Sequence, residues 1–295
     1  MPANAHDESP HPAEVIGVDR TFSTGSPARK LWRLVTNPTR IVSYLRRKQG
    51  YKQAWDHLGS DQTSAYAMVD SSADEIEFTR RGAGVAELLR TALLVGAADV
   101  VLEIGCGPAR IGRELAPHCK RWIGTDISAQ MLHRAKQRTT HLKNVQLLEL
   151  NGAHLDGVAD ASIDRLYCHS VLPHMDKEDM YKYLQEIRRV LSPGGLAYVD
   201  TWNLPHPDVW KWFAASADEA PLHGRKVSWR PQFATTPELR CFIERAGLRL
   251  VTLDDTSHLL QAFVTTPSAG PDGDEHVARY QTRIDPLLPT IRGLD

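Results

Sequence analysis

The 295-residue chain is 42% hydrophobic, enough for a buried core, and its formal net charge of -1 gives no global pull towards nucleic acid. Its four cysteines, Cys106, Cys119, Cys168 and Cys241, stand far apart with no Cys-x-x-Cys pair, which argues against a zinc site or a disulfide framework and suits a reducing cytoplasm. No apolar run approaches the roughly 18–20 residues that span a bilayer, and the polar start with Asp7, Glu8 and Glu14 is unlike a signal peptide.

Residues 1–27 are rich in Pro, Ser, His and Gly without periodicity and read as disordered. Residues 28–52 hold Arg29, Lys30, Arg33, Arg40, Arg46, Arg47, Lys48 and Lys52 and no acid, interleaved with Leu31, Trp32, Val35, Ile41, Val42 and Leu45. Pro38 divides the stretch into two short helices. It reads as a pair of cap helices with solvated outer faces; the alternative is a basic surface for anionic lipid or an acidic substrate. Over Asp74 to Leu94, apolar residues Ile76, Phe78, Val85, Leu88, Leu89 and Leu93 predict a helix, a break at Arg81-Gly82-Ala83-Gly84, and a second helix.

The most informative stretch follows. Val100-Val101-Leu102-Glu103-Ile104 is an apolar run ending near a carboxylate, and Gly105-Cys106-Gly107 comes next, leading into Ile111-Gly112-Arg113-Glu114-Leu115. This predicts buried strand, tight turn and helix. A second strand, Arg121 to Thr125, ends at Asp126, about twenty residues past the glycines, where a nucleoside-binding βαβ unit holds ribose hydroxyls. A dinucleotide site wants a third small residue where this chain has Arg110, and Glu103 would repel a pyrophosphate. A ligand with an ammonium, a sulfonium and a ribose suits the loop better.

On these residues the chain resembles the class I methyltransferases, whose first motif is an apolar strand, an acid and Gly-x-Gly. The resemblance spans about residues 98–266. It implies S-adenosylmethionine as cofactor and a Rossmann-like, doubly wound α/β sheet of seven mostly parallel strands with an antiparallel final strand. A helical cap over residues 28–97 would precede this domain, a lid insertion at about 205–233 would interrupt it, and a linker with a C-terminal tail would occupy 267–295. Tyr51 to Gly59, with Trp55, is similar to the segment that folds over the cofactor cleft in many small-molecule members.

The cofactor residues that the resemblance implies are Glu103, Gly105, Cys106, Gly107, Asp126, Ile127, Met131, Asn151, Gly152 and His169. Ile127 and Met131 fall where the family packs against adenine, with plain helix core as the other reading for Met131; Ser128 is a plausible N-cap. Asn151-Gly152 closes a third strand, Val145 to Leu150. There Asn151 departs from the usual acid but keeps a side-chain carbonyl acceptor, or the pair is an ordinary turn. A fourth strand, Ala161 to Cys168, leads to His169-Ser170-Val171-Leu172-Pro173-His174, the turn that faces the acceptor in the family. His169 and His174 are the candidate catalytic bases, His174 reading more readily as a structural brace.

Lys177 to Leu191 predicts a helix ended by Ser192-Pro193-Gly194-Gly195, a hinge the family shares, before a fifth strand, Leu196 to Asp200. Trp202, Asn203, His206 and Trp210 are the candidate acceptor residues. Trp212, Phe213, His223, Trp229 and Phe233 extend that aromatic stretch, which reads either as an acceptor pocket or as the small core of a lid. A helix from Thr235 to Ala246, two closing strands (248–253 and 259–264) and one loose helix over Val277 to Leu294 complete the pattern.

The expected activity is methyl transfer from S-adenosylmethionine to a small molecule, most readily O-methylation in secondary, lipid or sugar metabolism. Neither metal nor nucleic acid is expected, and membrane contact is the less favoured partner reading. No Asn/Asp-Pro-Pro-aromatic tetrad follows the fourth strand, which disfavours amide and adenine acceptors. The rival readings are a non-catalytic S-adenosylmethionine-binding module, and a methyltransferase working at a membrane or on nucleic acid through residues 28–52.

Overall fold

Strand β1 (Val100–Ile104) sets the middle of the sheet because four of its five residues are buried, as parallel strands covered on both faces require. The structure is a computed structural model that describes residues 51–71, 74–223, 231–267 and 272–292. The predicted disorder at 1–27, the basic residues of 28–48, the side chain of His223, and Trp229 lie outside the described residues.

β1 is flanked by β2 (Arg121–Asp126) and β4 (Ile163–Cys168), both parallel to it. β3 (Val145–Glu149) pairs with β2, and β5 (Leu191–Asn203) with β4. β8 (Leu259–Thr265) is antiparallel to both β5 and β7 (Arg249–Asp254), giving the order β3-β2-β1-β4-β5-β8-β7. The expected seven strands with one antiparallel member are joined by an eighth. The two-residue β6 (Phe233–Ala234) pairs with the end of β5 at Trp202 and Asn203.

Helices cover both faces. Met180, Leu184 and Ile187 of α6 (Lys177–Val190) and Leu239 and Ile243 of α8 (Thr236–Arg245) pack on the face holding Leu102, Ile104 and Leu166. Val85 and Leu89 of α3 (Glu75–Ala92), Leu132 of α5 (Ala129–Thr139), and Tyr280 and Ile284 of α9 (Asp272–Ile284) pack on the other, around Val101, Trp122, Tyr167 and Phe263. Before them come α1 (Tyr51–Gly59) and α2 (Gln62–Asp70). The helix after the glycines, α4 (Gly112–Leu115), is a single turn that passes into a 3-10 turn at Pro117.

Three local expectations change. α3 is continuous through Gly82 and Gly84. Gly82 is there for contact: a Cβ on it would stand 2.4 Å from the Arg110 carbonyl oxygen, so the helix presses directly on the glycine loop. The Pro-Gly-Gly segment belongs to β5, whose pairing with β4 shifts register between Ile163 and Arg165, with Gly194 at φ +74°. The C-terminal stretch is two helices, since Pro286 lies in a 3-10 turn between α9 and α10 (Leu288–Ile291).

α7 (Pro207–His223) occupies the position of the expected lid. Among the described residues no helix is long and apolar enough to cross a membrane.

Candidate active site

The sheet order reverses between β1 and β4, and ligands of open α/β sheets bind in that crevice at the carboxyl ends of the strands. A cavity of about 390 Å³ lies there, within the range of small-molecule sites. The β1 and β2 ends supply Glu103, Gly105, Cys106, Gly107, Asp126 and Ile127, and α5 supplies Met131. Asn151 and Gly152 enter from the turn after β3, and His169 and His174 from the turn after β4. All the cofactor residues named from the sequence, and both histidines, thus share one cavity.

Positive backbone angles let the loop close in: φ is +69° at Gly105 and +51° at Gly107. At Gly105 a Cβ would collide with Val171 at 2.4 Å, so the β1 and β4 turns meet through a bare backbone. Asp126 holds the loop's shape. Its Oδ2 accepts from the Gly107 N–H at 2.9 Å and its Oδ1 from the Ser128 N–H at 2.8 Å. Burial raises its pKa to about 6. Each of its oxygens keeps a lone pair for a further donor such as a ribose hydroxyl.

Glu103 is buried behind the loop, where the Tyr167 hydroxyl donates to its Oε2 at 2.6 Å and the Trp122 indole donates to that hydroxyl at 3.1 Å. Burial raises its pKa to about 8, against the pull of the Tyr167 hydrogen bond. Burial also pushes the Cys106 thiol well up, so it is no nucleophile at neutral pH. Neither carboxyl group forms an ion pair among the described residues, although the Arg110 charge acts on Glu103, and the two suit a cationic ligand carrying a ribose.

The cap forms the opposite wall. Lys52, Trp55, Met68 and Val69 line the cavity, and Tyr66, Phe78, Trp55, Leu58 and Val69 cluster with Met131. Met131 therefore serves both readings: it is a buried core residue and part of the lining. Polar ties hold α1 down. Lys52 donates to the Ile127 carbonyl at 2.8 Å and pairs with Glu149, while Ser128, the N-cap of α5, donates its hydroxyl to Asp56 at 2.8 Å. Arg110 pairs with Asp70 at 2.9 Å, both side chains largely buried; Arg81 lies 3.9 Å from Asp70 Oδ2, and neither that oxygen nor Arg110 Nε has a hydrogen-bond partner among the described residues. Arg110 is also among the residues lining the cavity.

The two histidines differ. His174 stacks edge-on to Trp55 at 5.2 Å and to Trp202 at 6.2 Å, and burial pushes its pKa down to about 4. His169 has its Nδ1 2.5 Å from Oδ2 of Asp200. Asp200 is fully buried; it also accepts from the Tyr198 hydroxyl at 2.9 Å and from the Ser170 N–H at 2.7 Å.

The four acceptor candidates do not line this cavity. Asn203 is buried and donates to the carbonyls of Asp255 and Ser257 at 2.8 and 2.9 Å, tying β5 to the β7–β8 turn. Trp202 packs on Trp212 at 4.5 Å and Phe233 at 5.6 Å, Trp210 on Phe213 at 5.4 Å, and His206 lies 6.2 Å from His258. Trp202 alone reaches the cavity wall, through the His174 ring.

The sequence did not single out Met68, Val69, Asp179 and Tyr183 as lining residues, nor Asp200. The Tyr183 hydroxyl holds the Gly152 carbonyl at 2.9 Å. Asp200 could have been found from strand order: Cys168 pairs with Val199, so the next residues, His169 and Asp200, stand side by side. Among the described residues no group of three or more His, Cys, Asp or Glu is placed to hold a metal ion.

Residues 101–195 match a family model described as a methyltransferase domain. The probable methyltransferase ltbC of Aspergillus luteorubrus is 34% identical over 146 residues, 46% of this chain and 50% of that protein. The N-demethylindolmycin N-methyltransferase of Streptomyces griseus is 31% identical over 114 residues, 38% of this chain and 46% of that one. The chain thus spans about half the length of these curated relatives. Among solved structures, the N-methyltransferase NodS of Bradyrhizobium japonicum WM9, bound to S-adenosyl-L-homocysteine, superposes with a TM-score of 0.52. It is 20% identical, and the match covers 74% of this chain and 98% of that one. Residues 101–195 thus carry a methyltransferase domain, on a fold shared with the S-adenosyl-L-homocysteine-bound NodS structure.

Proposed function

We propose that the protein transfers a methyl group from S-adenosylmethionine to a hydroxyl of a small molecule. The observation that carries this reading is the meeting, in one cavity, of the Asp126-braced glycine loop with His169, the histidine paired to Asp200. The cofactor supplies a methyl group on a sulfonium, which departs with the carbon–sulfur electron pair left on sulfur. The chain aligns the partners and keeps water out. Asp126 would hold the ribose and Glu103 the cationic end of the cofactor, and Met131, Ile127 and Trp55 wall the cavity with apolar surface. His169 Nε2 takes the proton of the acceptor hydroxyl. His174, kept neutral by burial, braces the wall between cavity and aromatic lid. An amine acceptor is the second reading, because the names of two similar proteins specify N-methyl transfer.

Calorimetry of S-adenosylhomocysteine tests the cofactor half: Asp126→Ala weakens binding by about 1.5–3 kcal/mol, the range for hydrogen bonds to charged groups. Tight NADH binding with no response to S-adenosylhomocysteine overturns it. A radiolabelled methyl-transfer screen of phenols, alcohols and amines tests the acceptor half. His169→Gln lowers kcat on a hydroxyl acceptor about 100-fold or more, the usual scale of a lost general base, with little change in S-adenosylhomocysteine affinity. Transfer to amines alone selects the second reading.

A further inference from the structure

We propose that Asp200 is a positioning residue that keeps the neutral ring of His169 protonated on Nδ1, so that Nε2 faces the cavity as an open acceptor. The inference rests on the hydroxyl-acceptor reading above for its consequence, though its geometry stands without it. Asp200 sits near the end of β5, fully buried, and among the described residues no Lys or Arg pairs with it: its partners are the Ser170 N–H on Oδ1, and the Tyr198 hydroxyl and His169 Nδ1 on Oδ2. A carboxylate only accepts, so each partner must donate, and Nδ1 carries the hydrogen. In a neutral imidazole the other nitrogen is then bare. Among the described residues Nε2 has no hydrogen-bond partner, and His169 lines the cavity. Other titratable groups facing the pair are Tyr198, Cys168, His174 and Asp70.

A strong constraint follows for one substitution. In Asp200→Asn the amide has one accepting oxygen and one donating nitrogen. Turning the oxygen towards His169 sets the amide N–H₂ against the Ser170 N–H, two buried donors face to face. Turning it towards Ser170 satisfies that fixed backbone donor and points N–H₂ at Nδ1 and at the Tyr198 hydroxyl, which can accept. The second arrangement leaves no clash, and it forces the His169 proton onto Nε2. A ring protonated there cannot take a proton from an acceptor, although its position is unchanged. The acceptor proton that His169 would receive in the parent chain passes from Nε2 to solvent when products leave.

The test reads the tautomer directly by long-range proton–nitrogen spectroscopy of the full chain labelled with ¹⁵N-histidine, at about pH 8, with the His169 signals identified by their loss in His169→Gln. The expected result is a protonated Nδ1 and bare Nε2 in the parent chain, and the reverse in Asp200→Asn. A proton on Nε2 in the parent chain overturns the proposal, as does an unchanged tautomer in Asp200→Asn. Should Asp200→Asn not fold, Tyr198→Phe replaces it: the expected spectrum keeps Nδ1 protonated, and a shift of the proton to Nε2 overturns the assignment to Asp200. The spectra are taken without ligand and with S-adenosylhomocysteine. Lack of binding in the second sample counts against the cofactor reading alone, because the first sample still reports the tautomer. Once an acceptor is found, Asp200→Asn lowers kcat about as far as His169→Gln while KM for the cofactor holds.

Discussion

Glu103 shows at a single residue how a ligand site works against the stability of its own fold. Its ordinary pKa is 4.5 and burial raises it to about 8, so at neutral pH the folded chain holds a proton that the unfolded chain has released. Between about 4.5 and 8 the native state binds more protons, and stability therefore falls as pH rises through that window. Gln at this position has no charge to desolvate and can still accept from Tyr167. Glu103→Gln therefore melts at a higher temperature than the parent in the absence of ligand, with a gap that is small near pH 5, grows to about pH 8, and then levels off. Scanning calorimetry at pH 5, 6.5 and 8 reads this directly, and equal melting at every pH refutes it. The same substitution weakens S-adenosylhomocysteine binding if the carboxylate faces the amino-acid end. What the sequence revealed of the site was the part written in local chemistry: two glycines one residue apart, an acid after a strand, a hydroxyl before a helix. Asn203 was placed by chain position alone. Its role emerged only with β8 beside β5, because the carbonyls it holds at Asp255 and Ser257 lie more than fifty residues away.

At the scale of elements, α3 is where propensity and packing disagree. Two glycines in four residues read as a break, yet the helix runs unbroken from Glu75 to Ala92. The buried face, with Phe78, Val85 and Leu89, repeats at helical spacing on both sides of the glycines, and that burial outweighs their backbone cost. Contact separates the two positions. An added methyl at Gly82 would meet the Arg110 carbonyl at 2.4 Å, a backbone atom that cannot turn aside, whereas one at Gly84 would meet nothing within 4 Å. Gly82→Ala thus destabilises by about 1–3 kcal/mol through overpacking and displaces the glycine loop. Gly84→Ala, on an exposed helical face, stabilises by roughly 0.5–1 kcal/mol. Urea titrations of the two variants check both signs, and a stabilising Gly82→Ala contradicts the contact. The aromatic stretch was legible in composition and not in geometry: Trp202, Trp212, Phe213 and Phe233 pack on one another as a lid core would, while Trp210 and Trp212 stay half exposed.

The whole molecule joins a sheet, whose crossing point dictates where a ligand can lie, to a cap that closes one side of that place. The sheet half was readable because each βα turn carries its own signals. The cap half was not, because its pairings are long-range: Asp70 meets Arg110 forty residues on, and Lys52 meets Glu149 ninety-seven residues on. Arg110 occupies the position that first spoke against a dinucleotide, and the structure gives it a task there, as the loop's tie to α2. The tie couples folding to binding. Asp70→Ala leaves the buried guanidinium of Arg110 unpaired and costs about 3–5 kcal/mol, whereas replacing both residues, Asp70→Leu with Arg110→Met, removes the charges together and costs far less. The adjacent Met68 and Val69 line the cavity, so the single variant also loses part of the wall. In the parent chain, S-adenosylhomocysteine at about a hundredfold its Kd adds about 2.7 kcal/mol to the unfolding free energy. At the same concentration Asp70→Ala gains less, because its ligand-competent cap is less populated. Thermal shifts measured over a ligand series for the parent, the single and the double variant decide the matter. An Asp70→Ala protein that starts less stable but gains the parent's full increment would show that the ion pair supports the fold alone and leaves the cavity wall where it was.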